Sequence, residues 1–362
     1  MAFVEKINII NFKSHSSFQS EILSTNVVVC GNNGIGKTNL LESLSFFTNS
    51  KGIRSNKLEN FFHNKGKINT KYSLVETWLK QKDYSTSISF EIKNDFNNIN
   101  KNFFIDKKKV SNQEISKLVN FIWLSPHMDR IMYDGSTIKK NFIDKIISNF
   151  DIEFKKSISN FKKLAEERLA LLLNNNDNKW INIIEKKMSI FFLDILKRRR
   201  ENIYLLNEIS DQLLDNFKKF KININNNFEN ILENQQVCLD KIVETMFNNR
   251  SIDRLIKRNS FSPSIDQVSF YDCSKQLDAD LCSTGEQKSI LLSIILAFAW
   301  MYKKKNVPFI LLFDEISSHI DEINIKNFFE EVVKFETQAW YTGTNKKIFQ
   351  PIENKAFFID LV

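Results

Sequence analysis

Few folds can accommodate residues 27–44. Val27-Val28-Val29-Cys30 is a short β-branched run of the kind buried on both faces, and Leu40, Leu41, Leu44 and Phe47 soon recur at helical spacing. Between them stand Gly31, Asn32, Asn33, Gly34, Ile35, Gly36, Lys37 and Thr38. They match G-x-x-x-x-G-K-[ST] in the strand–loop–helix setting the motif requires. Glycines let such a loop curl until successive N–H groups point inward at phosphate oxygens, and the helix N-terminus adds a favourable dipole. Lys37 is expected to reach the β- and γ-phosphates, and the Thr38 hydroxyl to ligate Mg2+. Glycine is otherwise scarce: the chain has 8 in 362 residues, where average usage gives roughly 25. Three of the eight fall in this loop, as expected where φ must be positive or another group must approach the backbone closely.

Two further motifs carry chemistry. Phe309–Phe313 is an unbroken apolar strand that ends in Asp314-Glu315. Asp314 is suited to hold Mg2+, and Glu315 to polarise an attacking water. In an open α/β sheet, ligands bind at the carboxyl ends of the strands, where this pair and the loop would both sit. Ser283-Thr284-Gly285-Glu286-Gln287 opens a strongly apolar helix. Ser283 and Glu286 fit a capping box, and a helix start with Ser and Gly is also an anion site. Both readings stand. One chain cannot easily bring this second site to the phosphate held by the first, whereas a second copy could.

The spacing predicts strands at residues 3–10 (edge or half-buried), 72–78, 85–92 and 102–105, then helices from about residue 138 to 247. No Pro or Gly occurs between Gly135 and Pro263, and the Asn-rich stretches 174–178 and 223–227 read as connections between long helices. After Pro263 come a helix over 285–302, the strand 309–313, a helix over 322–335 and short strands at 339–341 and 356–359. The expected organisation is thus α/β with an inserted α-helical lobe: 1–130, 131–262 and 263–362. Net charge is +8 overall, made up of +8 for residues 1–150, +4 for 151–262 and −4 for 263–362. That asymmetry hints at a polyanion partner. Basic clusters that could meet such a partner are Lys107-Lys108-Lys109, Lys139-Lys140, Lys197-Arg198-Arg199-Arg200 and Arg254/Lys257/Arg258. The first residues hold no apolar signal region, and the longest apolar run, Ile290 to Tyr302, is too short to span a bilayer. Four scattered cysteines without a CxxC pair, and four dispersed histidines, speak against a disulfide framework or zinc site and for a reduced, cytoplasmic setting.

Together these residues resemble the ABC-type ATPases of the SMC and Rad50 class, and most closely the RecF family, over nearly the whole chain. Ile9–Ser14 looks like the family's first strand and turn. Gly31–Thr38 continuing into Asn39-Leu40-Leu41-Glu42 looks like its Walker A, and Lys51-Gly52-Ile53-Arg54-Ser55 like the segment that follows. Ser283–Lys288 running into 291–297 is similar to the signature helix. Residues 311–315 look like Walker B, Ser318-His319-Ile320-Asp321 like the D-loop, and Tyr341-Thr342-Gly343-Thr344 like the Thr-Gly-Thr strand end. The resemblance implies an ATPase head with an antiparallel β subdomain, and ATP and Mg2+ as cofactors. Gly31–Asn39, Lys13, Ser283, Gly285 and Glu286 would touch the nucleotide, Thr38 and Asp314 the metal, and Lys37, Asp314 and Glu315 would serve catalysis. It further implies an ATP-driven homodimer with Ser283 and Gly285 acting in trans, a slow DNA-stimulated ATPase working as a switch, binding to gapped or single-/double-strand DNA junctions, and work with RecO and RecR to load RecA. Two other readings are a DNA-tethering head with negligible turnover and a P-loop phosphotransferase. The chain departs from the family at Pro126-His127, where Pro-Glu is usual, and at Lys139-Lys140, where Arg-Arg is usual. Lys does not reproduce the fork contacts of Arg.

Overall fold

A computed structural model describes residues 2–361 except 49–52, 54–57, 64–71, 82–83, 96–97, 175–177, 214–215 and 321–323. Lys51, Gly52, Arg54, Ser55 and Asp321 therefore lie outside the described residues. In chain order the elements begin with β1 (Phe3–Phe12), β2 (His15–Glu21), β3 (Asn26–Cys30), α1 (Lys37–Ser45), β4 (Tyr72–Gln81), β5 (Tyr84–Asp95), β6 (Asn98–Ile105) and β7 (Lys108–Val110). There follow α2 (Asn112–Leu118), β8 (Asn120–Leu124), α3 (Arg130–Tyr133), α4 (Ser136–Phe150), α5 (Ile152–Leu173), α6 (Asn178–Gln212), β9 (Phe220–Asn225), α7 (Gln235–Asn248), α8 (Arg250–Ile256), β10 (Gln267–Asp272) and β11 (Leu277–Asp278). The last are α9 (Thr284–Lys304), β12 (Phe309–Phe313), α10 (Ile325–Val333), β13 (Ala339–Gly343) and β14 (Ala356–Asp360).

The chain divides into two compact units, Met1–Met132 with Ile209–Lys219 and Leu281–Val362, and Tyr133–Glu208 with Phe220–Asp280. The first unit holds two sheets. One has the order β14-β3-β13-β12-β8 and is parallel throughout. Its three inner strands, β3, β13 and β12, are buried at every residue, which is why they read as continuous apolar runs rather than alternating ones. α1 packs on this sheet through Leu40, Leu41 and Leu44, all buried. α9 is apolar around most of its circumference from Ile290 to Tyr302, as a helix enclosed on all sides must be, and lies against β8 and β12. Each Leu or Ile so buried contributes about 1.5–3 kcal/mol.

The other sheet of this unit is antiparallel, in the order β2-β1-β4-β5-β6-β7. β1 is therefore interior, not an edge, because the polar strand β2 covers its outer side. A cluster of Phe12, Phe46, Phe61 and Phe90, with ring centroids 4.2–6.2 Å apart, joins β1 and β5 to the end of α1. Gln338, just before β13, donates to and accepts from the backbone of Val4, so residues 334 apart in sequence are locked together.

The second unit is helical with one departure from expectation. Residues 223–227 are not a helix connection. Phe220–Asn225 forms β9, which pairs antiparallel with β10, and β10 pairs with β11. Residues 267–278, placed with the last segment by sequence, lie in the second unit because of that pairing. Two buried ion clusters hold the helices. Arg168 binds Glu185 and Asp253, and Arg199 binds Asp144 and Asp266. Among the described residues no helix is long and apolar enough to cross a membrane, and no disulfide joins the cysteines.

Candidate functional site

The carboxyl ends of β3, β13 and β12 lie side by side, since β13 pairs with both neighbours in parallel register. That register brings the loop after β3 next to the carboxylates after β12. Gly31, Gly34 and Gly36 all have positive φ, of 152°, 83° and 112°. Gly36 is the most demanding: a Cβ there would lie 2.3 Å from Ser14 Oγ and 3.0 Å from His15 Nε2. Asn32, Asn33 and Gly34 are exposed, with Ile35 half-buried. The Lys37 ammonium is folded over the loop and donates to the Gly31 and Asn32 carbonyls, both at 2.8 Å.

Thr38 Oγ1 donates to Asp314 Oδ1 at 2.9 Å, which joins the first turn of α1 to the end of β12 across 276 residues of sequence. The same Asp314 oxygen accepts from Thr342 Oγ1 at 2.8 Å, and Thr342 Oγ1 in turn accepts from the Glu315 N–H at 2.8 Å. Glu315 is exposed and adopts φ 50°, a left-handed conformation that costs a non-glycine residue about 1–2 kcal/mol. The hydrogen bond from its N–H holds it there. Strain fixed in place by neighbours, at the end of a central strand, is typical of functional residues. A hydroxyl and a buried carboxylate in contact are hard oxygen donors of the kind Mg2+ prefers.

The other residues singled out by sequence fall into three groups. Asn39 lies beside the loop, its Nδ2 donating to Ser14 Oγ at 2.8 Å. Lys13 turns inward instead: its ammonium pairs with Glu42, fully buried on α1, and sits 4.7 Å from the Phe61 ring centre. Ser283 and Glu286 form the expected capping box, with the Ser283 N–H and Oγ donating to Glu286 Oε2 at 3.1 and 2.9 Å. Lys218 lies 3.6 Å from the other Glu286 oxygen. Ser283, Thr284 and Gly285 are exposed, and a Cβ at Gly285 would meet nothing within 4 Å. Unlike the glycines of the loop, Gly285 answers no need of its own chain.

Residues given no role in the chemistry by sequence also border the site. Thr342 ties the two carboxylate-bearing positions together, and its only sequence signal was its place in a Thr-Gly-Thr strand end. His15 is buried with Nε2 3.1 Å from the Gly36 carbonyl. Burial pushes its pKa down, the Gly36 contact opposes that, and His63 adds to it. Behind β12, His319 Nδ1 lies 3.6 Å from Asp129 Oδ1, and Lys288 of α9 lies 3.5 Å from Asp129 Oδ2. Among the described residues neither ring nitrogen of His319 has a hydrogen-bond partner. Burial, with Lys288 nearby, pushes its pKa down to about 4. His127, exposed, lies in the same turn as Asp129.

One basic cluster is internal, and in a second Arg199 is buried while Arg200 is exposed. Lys139 and Lys140 are buried and paired with Asp280 and Asp144, and Arg199 is fully buried between Asp144 and Asp266. Arg198 and Arg200 are paired with Asp151, Asp194 and Glu229. Lys107, Lys108 and Lys109, at the β6–β7 turn, are exposed, as are Lys257 and Arg258.

The sequence model of the RecF/RecN/SMC N terminal domain family matches residues 3–356. The DNA replication and repair protein RecF of Rickettsia rickettsii (strain Sheila Smith) is 30% identical over 362 residues, which cover 99% of each chain. A solved structure of the recombination mediator protein RecF-ATPrS in the RecFOR pathway superposes with a TM-score of 0.82 at 20% identity, over 99% of this chain and 96% of that one. The RecF-ATP structure of that pathway gives 0.83 at 20% identity, over 95% and 92%.

Proposed function

The chain belongs to the RecF/RecN/SMC N terminal domain family, in its RecF branch, and from that premise we propose that it is an ATP-switched, DNA-binding protein of recombinational repair and replication-gap processing. The observation that carries the reading is the Thr38–Asp314 contact, with Glu315 fixed beside it by Thr342. ATP is the nucleotide: the loop N–H groups and the Lys37 ammonium would hold its β- and γ-phosphates. Thr38 and Asp314 would hold Mg2+, which would neutralise charge on those phosphates. Glu315 would orient the attacking water and accept its proton.

The exposed start of α9, where Ser283 and Gly285 stand, supports a site completed by a second copy, each protomer's Ser283 Oγ and Gly285 N–H facing the γ-phosphate held by the other. Closure of that homodimer is the switch, and hydrolysis, slow and DNA-stimulated, reverses it. DNA would lie along basic surface such as Lys107–Lys109, read through its phosphates and without sequence preference. Partners are RecO and RecR, in view of the pathway of the two solved relatives, and the outcome is RecA placed on gapped or junction DNA in the cytoplasm.

Sedimentation of the purified chain tests this. A monomer alone, a dimer with ATP and a tighter dimer on gapped DNA are expected, and Lys37→Ala should abolish the nucleotide response. A Lys37→Ala protein that dimerises with ATP as the parent does would overturn the site assignment.

A further inference from the structure

α8 is built inside out. Its inward face is charged: Asp253, fully buried, accepts from Arg168 Nη1 at 2.6 Å and from the Ser260 N–H at 2.8 Å. Arg250, also buried, donates to Glu185 Oε1 and Oε2 at 3.0 and 2.5 Å and to Asn182 Oδ1 at 2.5 Å. Arg168 completes the cluster through Glu185, Asn259 and the Met246 carbonyl. The outward face is apolar, with Leu255 84% exposed and Ile252 53%, and Phe247, 57% exposed at the end of α7, has its ring 4.7 Å from the Arg250 guanidinium.

Both halves of this arrangement carry a cost. Buried ion pairs lose their hydration, and exposed apolar surface orders water. The two are connected. Directional bonds to Arg168 and Glu185 prevent α8 from rolling Leu255 inward, since rotation would break the ion cluster. An element that breaks two local rules at once, and is rigidly held while doing so, is preorganised for contact.

We propose that the outer face of α8, together with Phe247, is a docking surface for a partner protein that presents apolar side chains flanked by acidic residues. Charge decides the flank. From residue 247 to 258 the only carboxylate is Asp253, which is buried, while Lys257 and Arg258 are exposed and Arg254 is half-buried with its Nε on the Leu172 carbonyl. A nucleic-acid backbone would satisfy the cations but strip water from phosphates against Leu255 and Ile252 with no return. A protein segment satisfies both. Exposed leucine and isoleucine three residues apart on one helix face are the usual core of an interface, and the basic residues form its polar rim.

The proposal rests on the partner reading above, and RecR and RecO from the same cell are the probes. Each is titrated onto the labelled full chain, as wild type, Leu255→Glu and Lys257→Ser, alongside a gapped duplex and ATP. One of the two proteins should bind wild type, bind Leu255→Glu at least tenfold more weakly, and bind Lys257→Ser with a flatter salt dependence. ATP affinity of both variants and duplex affinity of Leu255→Glu should stay unchanged, which also shows that the variants fold. Equal binding of wild type and Leu255→Glu overturns the docking face and leaves the partner reading standing. Loss of duplex affinity in Leu255→Glu reassigns the face to nucleic acid, and an ATP-independent dimer abolished by Leu255→Glu reassigns it to a second copy. Either result overturns the proposal. Failure of both proteins to bind wild type removes the partner reading and the docking face with it.

Discussion

Alanine at position 285 separates what this chain needs from what its twin would need. Gly285 stands in the first turn of α9, its φ is not left-handed, and an added methyl meets nothing within 4 Å. Replacing glycine by alanine at such a helical position stabilises the fold by about 0.4–1 kcal/mol, because the unfolded chain loses freedom. Gly285→Ala should therefore unfold no more easily than wild type in urea. The dimer should suffer. A methyl in that turn holds the opposing phosphate away from the helix N–H groups, and each charge-assisted hydrogen bond lost costs about 1.5–3 kcal/mol. A symmetric dimer has two such sites, so the penalty doubles to roughly 3–6 kcal/mol, or about two to four orders of magnitude in the dimer constant. The assay is sedimentation velocity with ATP, comparing Glu315→Gln, in which turnover should be suppressed, with Glu315→Gln/Gly285→Ala. Unchanged dimer content in the double variant would show that the start of α9 does not face a partner's nucleotide, and the trans-site reasoning would be refuted.

Thr342→Val keeps side-chain volume but removes a donor to Asp314 and the acceptor for the Glu315 N–H. Stability should fall by about 1–3 kcal/mol, and turnover should fall at least tenfold with ATP binding near wild type. Wild-type turnover would mean that Glu315 does not depend on that hydroxyl. His319 supplies a pH prediction. Its folded pKa of about 4 lies below the unfolded value of 6.5, so the native state refuses a proton that the unfolded chain accepts. Stability contributed by the neutral ring is full above about pH 6.5 and is lost as pH falls toward 4. Between pH 7.5 and pH 5 the loss is about 2 kcal/mol, from 1.36 kcal/mol per pKa unit. Urea unfolding of wild type and His319→Leu at the two pH values should differ in slope by that amount, and parallel behaviour would mean that His319 does not titrate as argued.

The parts legible from sequence were those whose signals are local. β3, its loop and α1 carry an apolar run, three left-handed glycines and a helical stripe within twenty residues. β12 with Asp314-Glu315 and the capped α9 are equally self-contained. Positions set by pairing at a distance were not legible. β9 alternates from Phe220 to Asn225, but over only six residues, three of them Lys or Asn, and its partner β10 lies more than forty residues on, so its asparagines resembled a linker. Thr342 acquires its role only from the register of β13 against β12. Lys139, Lys140 and Arg199 looked like solvent-facing charge because the carboxylates that bury Lys139 and Arg199, Asp280 and Asp266, lie 141 and 67 residues away.

β3 lies between β13 and β14 in its sheet, and both arrive last from the ribosome. Roughly 300 residues separate Cys30 from Ala339, about 15–60 s of synthesis at ~5–20 residues per second. For that interval a five-residue strand, apolar at all but Asn26 and with two open edges, waits without a native neighbour, while β1, β2 and β4 to β7 can already zip together. The glycine loop after β3 is thus among the first segments made and among the last to acquire its shape. A nascent chain released early would expose a strand suited to pairing with another chain, so this fold is expected to lean on holding chaperones during its own manufacture.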